Sequence, residues 1–340
     1  PVIKVAMVEP IQSRIHLSSV KGQVMSMKYY SRLINCLTVT GIATLLVACG
    51  GGDGGGSASP GSLSLSVADA PVDTADEVWV EFSGVELQHS DGERIMFDFT
   101  VESDGVEPDG PCVVDPTACQ INLLALTDGA SEFLLKDEEV PSGKYSWARL
   151  HVNAELGVRD SYIVIGGMEY EMIIPSGAES GLKLNRGFIV PAGGEADFTI
   201  DFDLRKSVNN PEGLTYMGVD VYKLRPTLRT VDNAEVGVLM GSVDSGLITA
   251  DCSGAVYVFN AGATPDDEDG DDGDPITSGL LKDDYSYKVP YLAEGDYVAA
   301  FTCDADIDNA ETDDAVVFSS EAQVTITAGQ NTTQNFPPAP

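Results

Sequence analysis

Basic residues are scarce in this chain, with 19 Lys and Arg against 54 Asp and Glu and a formal net charge of −35. A surface of that sign repels nucleic acid and anionic lipid and draws divalent cations, so nucleic acid is excluded as a partner. Histidine is scarcer still: of three in 340 residues, only His89 and His151 follow position 49. Neither His-Glu-x-x-His nor Gly-x-Ser-x-Gly occurs, which removes the metalloprotease helix and the hydrolase nucleophile turn. Long apolar runs are also missing. The most apolar stretch, residues 33–47, is too short to span a bilayer as a helix.

That stretch has another use. Lys28 and Arg32 precede it as a positive segment, and Leu46-Val47-Ala48-Cys49 closes it. The pattern resembles the bacterial lipobox, whose cysteine is acylated after the chain is cut just before it. Gly50-Gly51-Gly52 argues against a core helix ending at Cys49. The expectation is a signal segment over 27–48 and a lipidated Cys49, giving an exported protein attached to a membrane through a lipid anchor. Gly at position 50, in place of Asp, implies sorting to the outer membrane. Residues 1–26 fit neither a signal segment nor a domain and read as upstream sequence before a start at Met25 or Met27. Residues 49–61 are a Gly/Ser linker with nothing to bury. The first 49 residues hold five basic groups and one acid, so the remainder holds 14 basic and 53 acidic residues.

Six cysteines are present. Cys36 is discarded with the signal segment and Cys49 carries lipid. Cys112, Cys119, Cys252 and Cys303 remain, and an even number in an exported chain points to disulfides. Cys112 and Cys119 flank an Asp-Pro turn, while Cys252 and Cys303 lie at the edges of expected strands, so spacing favours 112–119 with 252–303. A zinc site is the weaker alternative, because the spacing is not Cys-x2-Cys.

Beyond the linker the chain reads as short alternating strands separated by turn residues, the pattern of an all-β protein with two β-sandwich domains. Strands are expected at 62–67, 78–87, 94–99, 143–152, 162–165, 167–174, 188–190 and 196–204. Gly84 marks a bulge or bend, and Asp91-Gly92 a hairpin. Residues 123–135 fit a short helix or two short strands equally well. Strict alternation over 143–152 puts Tyr145, Trp147, Arg149 and His151 on one side. Such a face fits a carbohydrate platform or, more commonly, a core.

The segments Asp69-Ala-Pro-Val-Asp73, 140–150 (VPSGKYSWARL), 181–191 (GLKLNRGFIVP), 201–208 (DFDLRKSV) and 222–229 (YKLRPTLR) occur in order. Together they resemble the bacterial lipoprotein family called domain of unknown function 4382, over residues 62–232. The resemblance implies a bacterial, often lipid-anchored β domain with no established activity. A second domain is expected over 235–335. Its Tyr287-x-Val289-x-x-Leu292-x-x-Gly295-x-Tyr297 pattern is similar to the strand–turn–strand of transthyretin-like, carboxypeptidase-regulatory-like sandwiches. On that likeness Leu292 plugs the core, Gly295 takes positive φ and Tyr297 re-enters the core.

Two acidic runs stand out in the second domain, residues 266–274 and the set Asp304, Asp306, Asp308, Glu311, Asp313 and Asp314. Alternate carboxylates on a turn can converge on Ca2+, which takes 6–8 oxygens. An EF-hand is excluded, because Asn309 stands where Gly is needed and Ala315 where Glu is needed. A looser calcium loop and a solvated acidic loop both fit. His151 fits a core or surface histidine better than a catalytic base, and acids are too abundant for any carboxylate pair to be informative. The chain therefore reads as a non-enzyme. Three roles remain: a surface lipoprotein binding a protein, glycan or matrix partner; a spacer stiffened by Ca2+ and a disulfide; or a hydrolase accessory.

Overall fold

The computed structural model describes residues 59–337 apart from 71–74, 100–118, 176–180, 212, 271–272 and 310–311. The architecture is all-β, built as several sheets. In chain order the first half contributes β1 (Gly61–Ala70), β2 (Glu77–His89), β3 (Arg94–Asp98), β4 (Cys119–Asn122), β5 (Glu132–Val140), β6 (Gly143–Asn153), β7 (Tyr162–Ile165) and β8 (Met168–Ile173). It continues with β9 (Leu182–Leu184), β10 (Phe188–Val190), β11 (Glu195–Asp203), β12 (Val208–Asn209), β13 (Thr215–Tyr216), β14 (Val219–Asp220), β15 (Tyr222–Leu224) and β16 (Thr227–Asp232). A four-stranded sheet runs β16-β11-β1-β5, with β1 parallel to β11. A ten-stranded sheet runs β10-β6-β2-β7-β8-β15-β12, with β3 and β4 beside β2 and β9 beside β6.

The alternation seen in the sequence is what builds the core between these sheets. Val78, Val80 and Phe82 on β2 are fully buried, as are Leu63 and Val67 on β1 and Ile200 and Phe202 on β11. Phe82 meets Phe202 edge-on across the sandwich at 6.2 Å. Gly84 does mark a bulge: the pairing of β2 with β6 shifts register between Phe82 and Gly84. The shift keeps both Phe82 and Val85 inward. Residues 123–135 resolve into a 3-10 turn, Leu123–Leu126, followed by the start of β5.

The second half contributes β17 (Val236–Ser242), β18 (Ala255–Asn260), β19 (Thr277–Leu280), β20 (Ser286–Ala293), β21 (Gly295–Thr302), β22 (Phe318–Ile326) and β23 (Asn331–Thr333). They form a three-stranded sheet, β20-β17-β23, and a four-stranded one, β19-β18-β21-β22. Leu239, Val256, Val258, Val289, Leu292, Phe301 and Ile326 make their common core. Leu292 is fully buried, as its plug role requires. Gly295 does not take positive φ; Tyr291 does, at 57°. The Tyr297 ring lies over Gly295, where an added Cβ would stand 3.7 Å from it, and the Tyr297 hydroxyl donates to the Ala293 carbonyl at 2.8 Å. The turn is thus closed by the tyrosine and needs no left-handed glycine.

β20 also touches the turn after the 3-10 segment. Tyr291 donates its hydroxyl to the Gly129 carbonyl at 3.2 Å, and Lys282 pairs with Asp128 at 2.8 Å. Cys252 and Cys303 form a disulfide with a Cα–Cα distance of 4.5 Å, as the spacing predicted. Cys119 is buried and disulfide-bonded. Cys112, its expected partner, lies outside the described residues, as do Cys49 and the signal segment. Among the described residues no helix is long and apolar enough to cross a membrane.

Candidate functional site

Tyr145 and Trp147 do not share a face. Gln88 pairs with Trp147 and His89 with Tyr145, so Ser146 is an extra residue on β6. The bulge reverses the side-chain phase. Tyr145 turns inward and is fully buried, stacked on Phe188 at 4.9 Å and edge-on to His89 at 5.0 Å. Trp147, Arg149 and His151 turn outward, out of phase with buried Ala148, Leu150 and Val152. On β2, Trp79 is likewise out of phase with buried Val78 and Val80. The chain has two tryptophans, and both stand half-buried on the outward face of the ten-stranded sheet.

Each indole is set in polar company. The guanidinium of Arg149 lies 4.7 Å from the Trp147 ring centroid, the Lys183 ammonium 5.1 Å and the Arg94 guanidinium 5.6 Å. Glu86, on the neighbouring strand, fixes two of these cations: Arg94 donates to it at 3.0 Å and Arg149 at 2.8 Å. His151 stands 3.6 Å from the same carboxylate, too long for a hydrogen bond. At the other end Trp79 stacks on Tyr162 at 6.0 Å and donates its Nε1–H to Glu77 at 2.6 Å. Arg159 covers Tyr162 at 4.1 Å and pairs with Glu169 at 2.9 Å. Between the two, Glu81 accepts from Asn153 and Gln120. Trp79 and Trp147 are separated by about nine positions of strand, roughly 30 Å.

A second cluster forms where the two acidic runs meet. The described residues of 261–276 and 303–317 fold over the outer face of the sheet β19-β18-β21-β22 and close a small core of Ala255, Tyr257, Phe259, Val298, Ala300 and Ala305. Asp267, Glu268 and Asp308 are pulled below the surface, at 4%, 3% and 8% exposure, so for these the solvated-loop reading does not hold. Oxygens of Asp267, Asp308 and Asp314 lie within 4.8 Å of one another, and those of Asp267, Asp269 and Asp313 form a second such group. Two oxygens each about 2.4 Å from one Ca2+ are at most about 4.8 Å apart, so the spacing suits the ion. The carboxylates are held by donors on the opposite run. The Asp314 N–H reaches Asp267, the Glu268 N–H reaches Asp308 at 3.0 Å, and the Tyr257 hydroxyl also donates to Asp308. Asp304 and Asp306 do not join. Asp304 accepts the Val317 N–H at 3.0 Å, Asp306 is exposed, and Glu311 lies outside the described residues.

A cleft of about 590 Å³ is lined by Ile189, Pro191, Glu195, Asp197, Phe198 and Asp232. Two of its three carboxylates are engaged in local structure: Asp197 accepts from Asn233 at 2.9 Å and Asp232 from the Ala234 N–H at 2.9 Å, while Glu195 is exposed.

With that geometry in place, comparison with known proteins places the first half of the chain. Residues 60–226 match the family model "Domain of unknown function (DUF4382)". This is the family expected from the ordered segments between Asp69 and Arg229. No curated protein matches the chain. Among solved structures, the Bacillus anthracis TIE protein is 10% identical, with 82% of this chain and 33% of that one covered and a TM-score of 0.19. GBS52, the minor pilin of Streptococcus agalactiae, is 12% identical over 81% of this chain and 94% of its own, at 0.19. BcpA, the major pilin subunit of Bacillus cereus, is 10% identical over 82% and 98%, at 0.20. The chain thus spans a third of the first of these structures. TM-scores of this size carry no argument about function.

Proposed function

We propose that this protein is a non-catalytic binding module of the bacterial envelope, held at the outer membrane by lipid on Cys49 and presenting the outward face of its large sheet to a partner. The observation that supports it is the placement of both tryptophans on that face, ringed by charged and amide side chains. Large amphipathic side chains left half-exposed beside fixed hydrogen-bonding groups are the composition of a recognition surface.

The test has two parts. Cys49→Ser should abolish labelling by a lipid precursor and leave a longer, uncut chain; normal labelling of that variant would remove the anchor. Trp79→Ala with Trp147→Ala should lower the melting temperature by only a few degrees and leave the protein folded, while depleting the components captured from an envelope extract. An unchanged captured set would refute the face as the binding surface.

A second reading is favoured by the convergence of Asp267, Asp308 and Asp314: Ca2+ joins the two acidic runs and stiffens the second half as a spacer. The two readings are compatible, since one concerns the sheet face of the first half and the other the loops of the second.

A further inference from the structure

Of the 14 basic residues after Cys49, three surround a single indole. On a chain of net charge −35 this is a local reversal of sign. Glu86 neutralises one charge and leaves Arg94, Arg149 and Lys183 with a surplus. Arg94 and Lys183 are exposed, so the surplus reaches solvent. Arg149 is more enclosed, and its Nε–H is buried without a hydrogen-bond partner.

We propose that the Trp147 patch binds an acidic glycan, a polymer of sugars bearing carboxylates, and this assignment rests on the reading of the sheet face as the binding surface. Three features select that chemistry. The first is charge complementarity: a guanidinium fork matches a carboxylate, and two arginines and a lysine stand around one ring. The second is the saturation of the strands beneath. At Glu86–Gln88, β2 is paired with β3 on one side and β6 on the other, and β6 at Ala148–Leu150 lies between β2 and β9. Directly beneath the indole, β2 and β6 are thus paired on both sides, and what is presented there is side chains. The third is the half-exposed indole itself, a flat apolar surface beside charged hydrogen-bond donors, the pairing a sugar ring requires. The overall negative charge does not prevent this. At physiological ionic strength charges beyond about 8 Å are largely screened, so a ligand seated on the patch is governed by the groups it touches.

Isothermal titration of the full protein with polygalacturonate tests the assignment, with the fully methyl-esterified, uncharged polymer as control. Binding of polygalacturonate is expected to weaken between 50 and 200 mM salt, and the neutral polymer should bind at least tenfold more weakly. Lys183→Gln and Trp147→Ala should each weaken binding about tenfold or more, while Lys136→Gln, on the opposite sheet, should not. Both affected positions lie at the surface, so far-UV circular dichroism should be unchanged. Equal affinity of Lys183→Gln and wild type would overturn the proposal, as would equal binding of the neutral polymer. So would salt-sensitive self-association that Lys183→Gln abolishes with no polygalacturonate uptake, which would give the patch to an acidic loop of a second copy. If polygalacturonate fails to bind while the tryptophan pair still controls envelope capture, the ligand class falls and the binding face stands.

Discussion

Tyr145 and Trp147 are two residues apart on β6 and point to opposite sides of the sheet. The extra residue Ser146 sends the first into the core against Phe188 and the second outward among Arg94, Arg149 and Lys183. Truncation should therefore separate them. Tyr145→Ala removes a fully buried ring and is expected to cost roughly 3–5 kcal/mol, the range for large aromatic-to-alanine changes. Trp147→Ala removes cation–π contacts at a partly exposed site and should cost about 1 kcal/mol or less. Urea unfolding of both variants checks this, and equal losses would place the two rings in similar surroundings.

The same tyrosine gives a pH dependence. Burial of the Tyr145 phenol pushes its pKa up to about 12 from the usual 10, with Glu93 and Asp91 adding to the shift. The folded state resists ionisation more than the unfolded chain does, so stability from this group is complete below pH 10 and is lost as the pH rises from 10 towards 12. By pH 11 the loss is on the order of 1 kcal/mol. Tyr145→Phe gives up the hydrogen bond to the Pro141 carbonyl, 2.7 Å long, and should start about 1 kcal/mol less stable at pH 8. Its deficit relative to wild type should shrink between pH 10 and 11. A deficit constant with pH would mean that the phenol ionises as freely in the folded protein as in the unfolded chain.

Removing the Cys252–Cys303 bond relaxes a loop of 51 residues in the unfolded chain. Loop-closure entropy assigns such a constraint roughly 4 kcal/mol. Cys252→Ala with Cys303→Ala should lose about that much in denaturant unfolding under oxidising conditions. Reduction of the wild type should cost at least as much, because it also opens the bond at Cys119. A loss under 1 kcal/mol would mean that residual structure already confines this loop in the unfolded chain.

Strand positions were legible because local alternation and Gly or Asp turn residues carry them. The buried phase of β2, the bulge at Gly84 and the Leu292 plug all follow from period and punctuation over ten residues or fewer. The bulge at Ser146 does not. Nothing in GKYSWARLHV departs from alternation, and the extra residue is defined by pairing with β2, some 60 positions earlier. The composition of the Trp147 patch was similarly hidden, because Arg94, Arg149 and Lys183 come from three strands. Gly295 misled for a local reason: its turn is closed by the Tyr297 ring, and the positive φ of Tyr291 belongs to the bulge within β20. The acidic runs were each visible, but their meeting was not, since Asp267 and Asp314 are 47 positions apart.

That meeting decides the calcium prediction. At an effective dielectric near 20, two unit negative charges 4.8 Å apart repel by roughly 3.5 kcal/mol, and Asp267, Asp308 and Asp314 form three such pairs. The N–H groups of Glu268, Asn309 and Asp314 and the Tyr257 hydroxyl offset part of this repulsion. A divalent cation would reverse the sign of the local interaction and bridge the two runs through charge. A cation that binds only the folded state stabilises it by RT ln(1 + [Ca2+]/Kd), roughly 2.7 kcal/mol at a hundredfold excess. Extracellular sites of this kind have Kd on the order of 0.1–1 mM, so millimolar Ca2+ is the working range. The melting temperature should rise by several degrees on adding Ca2+, and Asp267→Asn with Asp308→Asn should abolish the rise. Asp304→Asn with Asp306→Asn, which alters charges outside the cluster, should leave most of it. Mg2+ should do less, because it demands a tight octahedron and releases its waters reluctantly. Equal shifts by Ca2+ and Mg2+ that survive in the Asp267/Asp308 variant would reduce the effect to screening of a chain with net charge −35, and the site would be dismissed.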